Sequence, residues 1–350
     1  MTTANNPAPS TTPPSPSEDP SRVDPLDNVR SVVVDEASLA DTFKRDILEG
    51  LSRTPKRTHP KHLYDTRGSE LFEGITRAED YYPTRTEARI FAAHLHEMAE
   101  AIGPNAVIIE PGSGSGEKAE RKLAALVEPK AFVPIEISMS ALLDSAERIA
   151  DRFPALEIHP VRADFTESDH VPDHVPGGDG APERRCVFFP GSTIGNLEPD
   201  ARAAVLRSFR RVAGEGGLLL IGTDLIKDID TLKRAYDDSE GVTRAFNLNL
   251  LDRINRELAG DFDTSAFTHE SRWNEELMRI EMHLVTLKDQ DATVDGKRFD
   301  FAKDETIHTE SSHKFTPEGV NAEAAEAGFE PVDAWTDERD WFRVALYRGV

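Results

Sequence analysis

The sequence predicts an α/β fold: a doubly wound, mostly parallel sheet carrying an inserted second domain. Three observations lead there. Five short apolar runs alternate with helix-period segments between Ala106 and Asp224, the pattern of parallel strands joined by right-handed crossovers. A glycine-rich turn, Gly112-Ser113-Gly114-Ser115-Gly116, follows the first run. After Asp224 the alternation stops, and two more strand-like runs close the chain.

Residues 1–29 are rich in Pro, Ser, Thr, Asn and Asp, a composition that cannot support a core and predicts a disordered tail. Residues 30–85 are expected to hold helices that pack beside the insert. Helical spacing runs from Ala37 to about Ser52, with capping groups at Asp41-Thr42, and a short helix is expected around Ser69–Ile75. Thr84 is a candidate cap for a long helix from about Arg85 to Ala101.

The first part of the sheet domain spans residues 86–226. Its strands are Ala106–Glu110, Ala131–Glu136, Leu156–Val161, Cys186–Phe189 and Gly217–Asp224. Helices fill the gaps, one through Leu126, one from Met139 to Arg152 and one ending near Ala213; Pro172–Pro182 reads as a surface loop. The insert, residues 227–314, reads as α+β, with a long helical region over Thr231–Glu257 and an alternating run at Met278–Leu287. Residues 315–350 return to the sheet as a helix, Pro317–Ala327, and an antiparallel pair, Phe329–Trp335 and Trp341–Tyr347, making seven strands.

The chain has 350 residues and a formal charge of −23, from 41 Lys and Arg against 64 Asp and Glu. Nucleic-acid binding needs a basic stripe, so the acidity argues against that partner class. Cys186 is the only cysteine and sits in an apolar run, so neither a disulfide framework nor a thiolate metal cluster is expected. No stretch reaches the ~18 apolar residues of a membrane span, and no signal peptide is visible. A monomeric cytoplasmic protein with a small-molecule substrate is the simplest expectation.

The most informative segment is Val187-Phe188-Phe189-Pro190-Gly191-Ser192-Thr193-Ile194-Gly195-Asn196. A buried strand ends in Pro-Gly, and two hydroxyls and an amide follow. In open α/β sheets ligands bind beyond the carboxyl ends of strands. The loop holds no Cys, His, Asp or Lys, so it can position a reactant but not attack one.

The glycine turn opens a helix, which lets backbone N–H groups approach a ligand closely. Taken alone it suits a dinucleotide as well. Glu136, 24 residues after Gly112, ends the second strand, near the spacing of about 20 for a carboxylate on ribose hydroxyls. Asp164-Phe165 follows the third strand, offering a carboxylate and a ring for an adenine. Together with the terminal strand pair, these features describe a Rossmann-like, class I S-adenosylmethionine methyltransferase. No lysine follows the glycines at phosphate-loop spacing, which argues against ATP.

From about Lys61 to Val350 the chain resembles the L-histidine Nα-methyltransferases of ergothioneine biosynthesis. The resemblance rests on Leu63-Tyr64-Asp65, Tyr81-Tyr82-Pro83-Thr84-Arg85-Thr86-Glu87, Gly191–Leu197, Gly222–Leu225, Arg234–Asp238, Arg279–Met282 and Glu310–Phe315. It implies that Tyr64, Gly112, Lys118, Glu136, Asp164 and Phe165 line the S-adenosylmethionine site. It implies that Asn196 holds the substrate α-amine, that Tyr81 and Tyr236 hold its carboxylate, and that Gly191 and Thr193 lie nearby. Glu310 and Ser312 would recognise the imidazole and Met282 would pack on it. Asn196 and Tyr64 are the candidate catalytic residues; for the proton acceptor the choice lies between Tyr64, by proximity, and water. The implied product is the trimethylated betaine hercynine, formed through mono- and dimethylhistidine. Glu136 and Ala119 depart from the commoner Asp and Thr of the family.

Plainer readings compete at several positions. Met282 alternates with Ile280 and Leu284 as a core residue would, and Asp237-Asp238 suits a solvated helix face. His308 and His313, five residues apart without a cysteine nearby, do not form a metal motif, so no metal is expected. An alternative substrate is another amino acid such as tryptophan; an alternative class is a non-catalytic sensor.

Overall fold

The computed structural model describes residues 28–35, 42–114, 116–167 and 184–350, without the side chains of 117 and 118. Most of the expected tail, the Asp41 cap, Ser115 and the Pro172–Pro182 loop lie outside the described residues.

The central strands form where apolar residues run nearly without interruption. β3 (Val107–Pro111), β7 (Arg185–Phe189) and β8 (Leu218–Asp224) are buried along nearly their whole length, as is β4 (Ala131–Glu136) up to its final residue. A sheet covered by helices on both faces requires such continuous apolar runs. The strand order is β1-β6-β4-β3-β7-β8-β15-β14, with β5 also paired to β4. β3, β4, β6, β7 and β8 pair in parallel, whereas β15 (Phe342–Gly349) runs antiparallel to both β8 and β14 (Phe329–Thr336). This is the class I methyltransferase arrangement.

The seven expected strands are present, yet the sheet counts nine. The third splits at His159-Pro160 into β5 (Glu157–Ile158) and β6 (Val161–Arg162), because proline cannot donate to the ladder. β1 (Val33–Val34) adds to the outer edge through the Val33 N–H to the Pro160 carbonyl, 3.0 Å. Residues 33–34 thus sit on the large sheet and not with the N-terminal helices.

The helices follow their caps and apolar spacing. In α5 (Met139–Arg152) the Ser138 hydroxyl accepts from Ala141 N–H, and Leu142, Ala146, Ile149 and Ala150 form the buried stripe. α2 (Thr66–Arg77) begins three residues earlier than expected because the Asp65 carboxylate accepts from Gly68 N–H. α3 (Tyr82–Ile102) also begins early, with Pro83 in its first turn, where a missing N–H costs nothing.

The helix after β7, α6 (Pro199–Ala213), ends where expected. The long helical region expected over Thr231–Glu257 is two helices, α7 (Ile229–Ala235) and α8 (Val242–Glu257). Asp238 explains the break. Its two carboxylate oxygens accept from Val242 and Thr243 N–H at 2.9 and 2.7 Å, and the side chain is buried, not on a solvated face.

A second sheet, ordered β2-β13-β10-β9, stands beside the first. It comprises β2 (Lys56–Arg57), β9 (Phe267–Asn274), β10 (Arg279–Thr286) and β13 (Thr306–His313). A separate hairpin, β11 (Gln290–Val294) and β12 (Lys297–Phe301), turns at Asp295-Gly296, where both residues have positive φ. The core of this part joins α1 (Phe43–Ser52), α2, α8 and the second sheet through Ile47, Leu51, Ile75, Leu250, Ile254, Ile280 and Leu284.

Candidate active site

Because β3, β4, β6, β7 and β8 are parallel, their carboxyl ends share one edge. The glycine turn, Glu136, Asp164, the Gly191–Asn196 loop and Asp224 therefore meet there. Gly112 has φ 68° and Gly114 φ 54°, values that favour glycine. A Cβ on Gly112 would stand 3.5 Å from the Phe165 ring, and one on Gly114 would meet nothing within 4 Å. The Gly112 and Ser113 N–H groups donate to the Ile135 carbonyl at 2.8 and 3.2 Å, holding the turn against β4.

Glu136 braces the turn from the other side. One carboxylate oxygen accepts from Gly114 N–H (3.1 Å), the other from Ile137 and Ser138 N–H (2.8 and 3.0 Å). Burial, with the nearby Asp164 charge, raises its carboxyl above the ordinary value. Asp164 is buried and accepts from Thr166 and from Lys61 Nζ at 3.1 Å. Phe165 packs edge-on to Phe189, 5.4 Å between centroids. Lys118 is the second residue of α4 (Glu117–Leu123), directly behind the glycines. The open glycine cradle and the carboxylate at its edge fit a nucleoside ligand.

The Gly191–Asn196 loop is tightly specified. Gly191 and Ser192 both have positive φ. Gly191 N–H donates to Glu87 Oε1 at 2.6 Å, Asp224 N–H donates to Ser192 Oγ at 2.9 Å, and Thr193 Oγ1 donates to the Pro190 carbonyl at 3.0 Å. A Cβ on Gly195 would lie 2.9 Å from the His313 carbonyl oxygen, so glycine lets the loop seat on β13. The short 3-10 turn Thr193–Asn196 then leaves Asn196 half-buried at the sheet edge.

The remaining candidate substrate residues come from the second core and its sheet. Tyr81 and Tyr236 are buried edge to face, 6.0 Å apart. Tyr64, between Phe72 and Phe246 at 5.4 Å each, completes an aromatic wall. On β10 and β13, Met282 lies opposite Glu310 and Ile280 opposite Ser312, which puts Met282, Glu310 and Ser312 on one face.

Glu310 is buried, and its Oε2 has no hydrogen-bond partner among the described residues. Burial pushes its carboxyl up to about 7 against the pull of Lys314. Burial also raises Tyr64 and Tyr81 well above the ordinary phenol value. For Tyr64 the Glu310 charge comes next; for Tyr81 the neighbouring Tyr236 does, and then Glu310.

The structure adds groups to which the sequence reading assigned no role. Lys314 Nζ donates to Tyr236 OH (2.9 Å) and Ser312 Oγ (2.8 Å) and pairs with Asp224 Oδ2 (2.8 Å). Ser312 Oγ and Tyr236 OH are themselves 2.6 Å apart, so Ser312 is joined to the tyrosine side of the pocket. Asp224 also accepts from Tyr82 OH and Lys227. Burial alone would raise its carboxyl, but the two ammonium groups hold it low. Lys314 and Glu87 lie inside motifs already singled out. Lys314 stands two residues beyond Ser312, the spacing that shares a face in extended chain.

Comparison with known proteins identifies the family. The family model described as "Histidine-specific methyltransferase, SAM-dependent" matches residues 43–349. The chain is 42% identical over 314 residues to histidine N-alpha-methyltransferase of Mycolicibacterium smegmatis, covering 88% of this chain and 95% of that protein. Against the Mycobacterium tuberculosis protein of the same name the identity is 44% over 314 residues, covering 87% and 94%. A 4-dimethylallyltryptophan N-methyltransferase of Aspergillus fumigatus is 27% identical over 315 residues, covering 86% and 92%. With a family match over nearly the whole described chain and relatives above 40% identity, this protein belongs to the histidine-specific, S-adenosylmethionine-dependent methyltransferases.

Proposed function

We propose that the enzyme transfers three methyl groups in turn from S-adenosylmethionine to the α-amine of L-histidine, giving hercynine. The observation that carries the substrate assignment is Glu310: a buried carboxylate whose Oε2 has no hydrogen-bond partner among the described residues, on the same face as Met282 and near Tyr64 and Tyr81. A charged acceptor in an apolar pocket discriminates for a ligand that donates to it, as an imidazole N–H does. Lys314, Tyr81 and Tyr236 would bind the substrate carboxylate, since Lys314 places positive charge on the two hydroxyls beside it.

When bound, S-adenosylmethionine supplies a methyl group on a sulfonium, open to in-line displacement. Gly112, Glu136, Asp164, Phe165, Lys118 and Tyr64 would hold it. Asn196 would accept a hydrogen bond from the amine and aim its lone pair, with Gly191 and Thr193 setting the loop. Such alignment can supply about 7–11 kcal/mol of a barrier. The phenol of Tyr64, held far above its ordinary value, stays protonated and accepts a hydrogen bond without acting as a strong base. This departs from its candidate role as proton acceptor.

Residues 227–314, with the helices before α3, would form the substrate-binding unit, a division supported by their shared core. No described helix is long and apolar enough to cross a membrane. The buried thiol of Cys186 and the charge of −23 support a cytoplasmic monomer without a nucleic-acid partner. Mass spectrometry of histidine, tryptophan and other amino acids incubated with enzyme and S-adenosylmethionine tests the proposal. Trimethylhistidine is the expected product; its absence, or preferred turnover of another amino acid, refutes the reading.

A further inference from the structure

The second sheet has another face. β10 and β13 pair regularly from Arg279↔His313 to Met282↔Glu310, and then the register slips, so that His283 lies opposite His308 with Thr309 extra. A one-residue bulge inverts which face later residues occupy. Here it brings His308 onto the side that carries Arg279, Glu281 and His283, opposite the Met282–Glu310 face.

On that side the rings of His283 and His308 stack at 5.0 Å, inclined by 20°. One nitrogen of each ring and one oxygen of Glu281 all lie within 4.8 Å of one another. We propose that Glu281, His283 and His308 form a binding site for a divalent metal ion of the zinc class. Two imidazoles and one carboxylate are a zinc-type donor set with an open position for water.

The surrounding contacts have the form of metal-ligand support. His308 Nε2 is 3.0 Å from the Glu310 carbonyl; donating there fixes its tautomer and leaves the Nδ1 lone pair free, as in metal-bound histidines. His283 Nε2 is 3.0 Å from Glu281 Oε2, while its Nδ1 is buried and has no hydrogen-bond partner among the described residues. Glu281 Oε1 is held by Asn274 and Arg279, leaving Oε2 directed at His283. The Arg279 guanidinium is divided between Glu281 and both oxygens of Glu198. His313 stays outside the set, near Glu198.

This site lies on the face of the second sheet opposite Met282 and Glu310, just beyond the last regular pair, Met282↔Glu310. The test uses tag-free full-length protein, stripped with EDTA and titrated with Zn²⁺ by calorimetry and with Co²⁺ by visible absorption. One saturable equivalent is expected, with affinity lowered at least about tenfold in His283→Gln, His308→Gln and Glu281→Gln. His96→Gln, which alters an exposed pair with Glu100, should leave it unchanged. Zinc-edge absorption of the wild-type complex should show two imidazoles, a measurement that needs no folded variant. Absence of a saturable equivalent, affinity indifferent to the substitutions, or a spectrum without imidazole overturns the proposal.

Discussion

Glu310→Gln removes a charge that the fold holds against its solvation preference, so activity and stability should move in opposite directions. The free carboxyl titrates near 4.5 and the buried one at about 7, burial being the cause. Below pH 4.5 both states are neutral and the group's contribution is fully present. Between the two values the unfolded chain ionises while the folded one does not, and stability falls as pH rises. Above pH 7 the loss is complete. At about 1.36 kcal/mol per unit it comes to roughly 3 kcal/mol. Glutamine carries no such titration. Differential scanning fluorimetry should therefore show matching Tm values near pH 4.5 and a variant more stable by several degrees at pH 8. Kinetics should show the reverse. A charged acceptor is worth about 1.5–3 kcal/mol, so kcat/KM for histidine should drop about 10- to 150-fold while affinity for S-adenosylhomocysteine stays constant. The ratio of wild-type to variant kcat/KM cancels the substrate's own titrations and should rise with pH through about 7. A pH-independent Tm offset or a flat ratio would refute the assignment.

Other substitutions read other parts of the site. Lys314→Met should raise KM for histidine about tenfold or more, by analogy with other charged hydrogen bonds, and lower Tm by stripping Asp224 of one buried cation; isothermal titration with S-adenosylhomocysteine should be unaffected. Gly195→Ala drives a Cβ against the His313 carbonyl oxygen, and the displaced Asn196 should cost about 10- to 100-fold in kcat with little change in cofactor affinity. Asp238→Ala exposes two unsatisfied N–H groups at the start of α8 and should destabilise the fold by about 1–2 kcal/mol in urea unfolding.

The large sheet was legible because its central strands are mostly apolar runs separated by helix-period segments, one of which, Met139–Arg152, also carries its own Ser138 cap. The second sheet was less so. β13 alternates regularly only up to its bulge at Thr309, and a slip of one residue erases the period-two signal on which strand recognition depends. The β11–β12 hairpin carried a usable mark, Asp295-Gly296 flanked by Ala292, Val294, Phe299 and Phe301, which went unread beside the long helical pattern before it. Asp238 illustrates another limit. An acidic pair reads as solvated until the chain reverses and brings backbone N–H groups to its carboxylate. Site residues within one motif could be named early, whereas the joining of Lys314 to Asp224 and Tyr236 arises from three separate elements and has no local signature.

The proton inventory of the pocket gives the proposed chemistry its character. Tyr64, Tyr81 and Tyr236 are all held above the ordinary phenol range by burial first, so each is a donor or a neutral acceptor. Asp224 is spent on Lys314, Lys227 and Tyr82. Glu310 is the one strongly displaced acid facing this pocket, and it is assigned to the imidazole. Among these groups none is left to take a proton from an ammonium at the Asn196 loop, and on the proposed chemistry the amine is neutral when it is aligned. A loop that contributes only an amide and backbone then suffices. Its demanding features, two adjacent residues at positive φ, the Glu87 anchor and the close seat on β13, all serve the placement of Asn196. Catalysis on this reading is a matter of geometry, and the residues that set it lie mostly behind the loop.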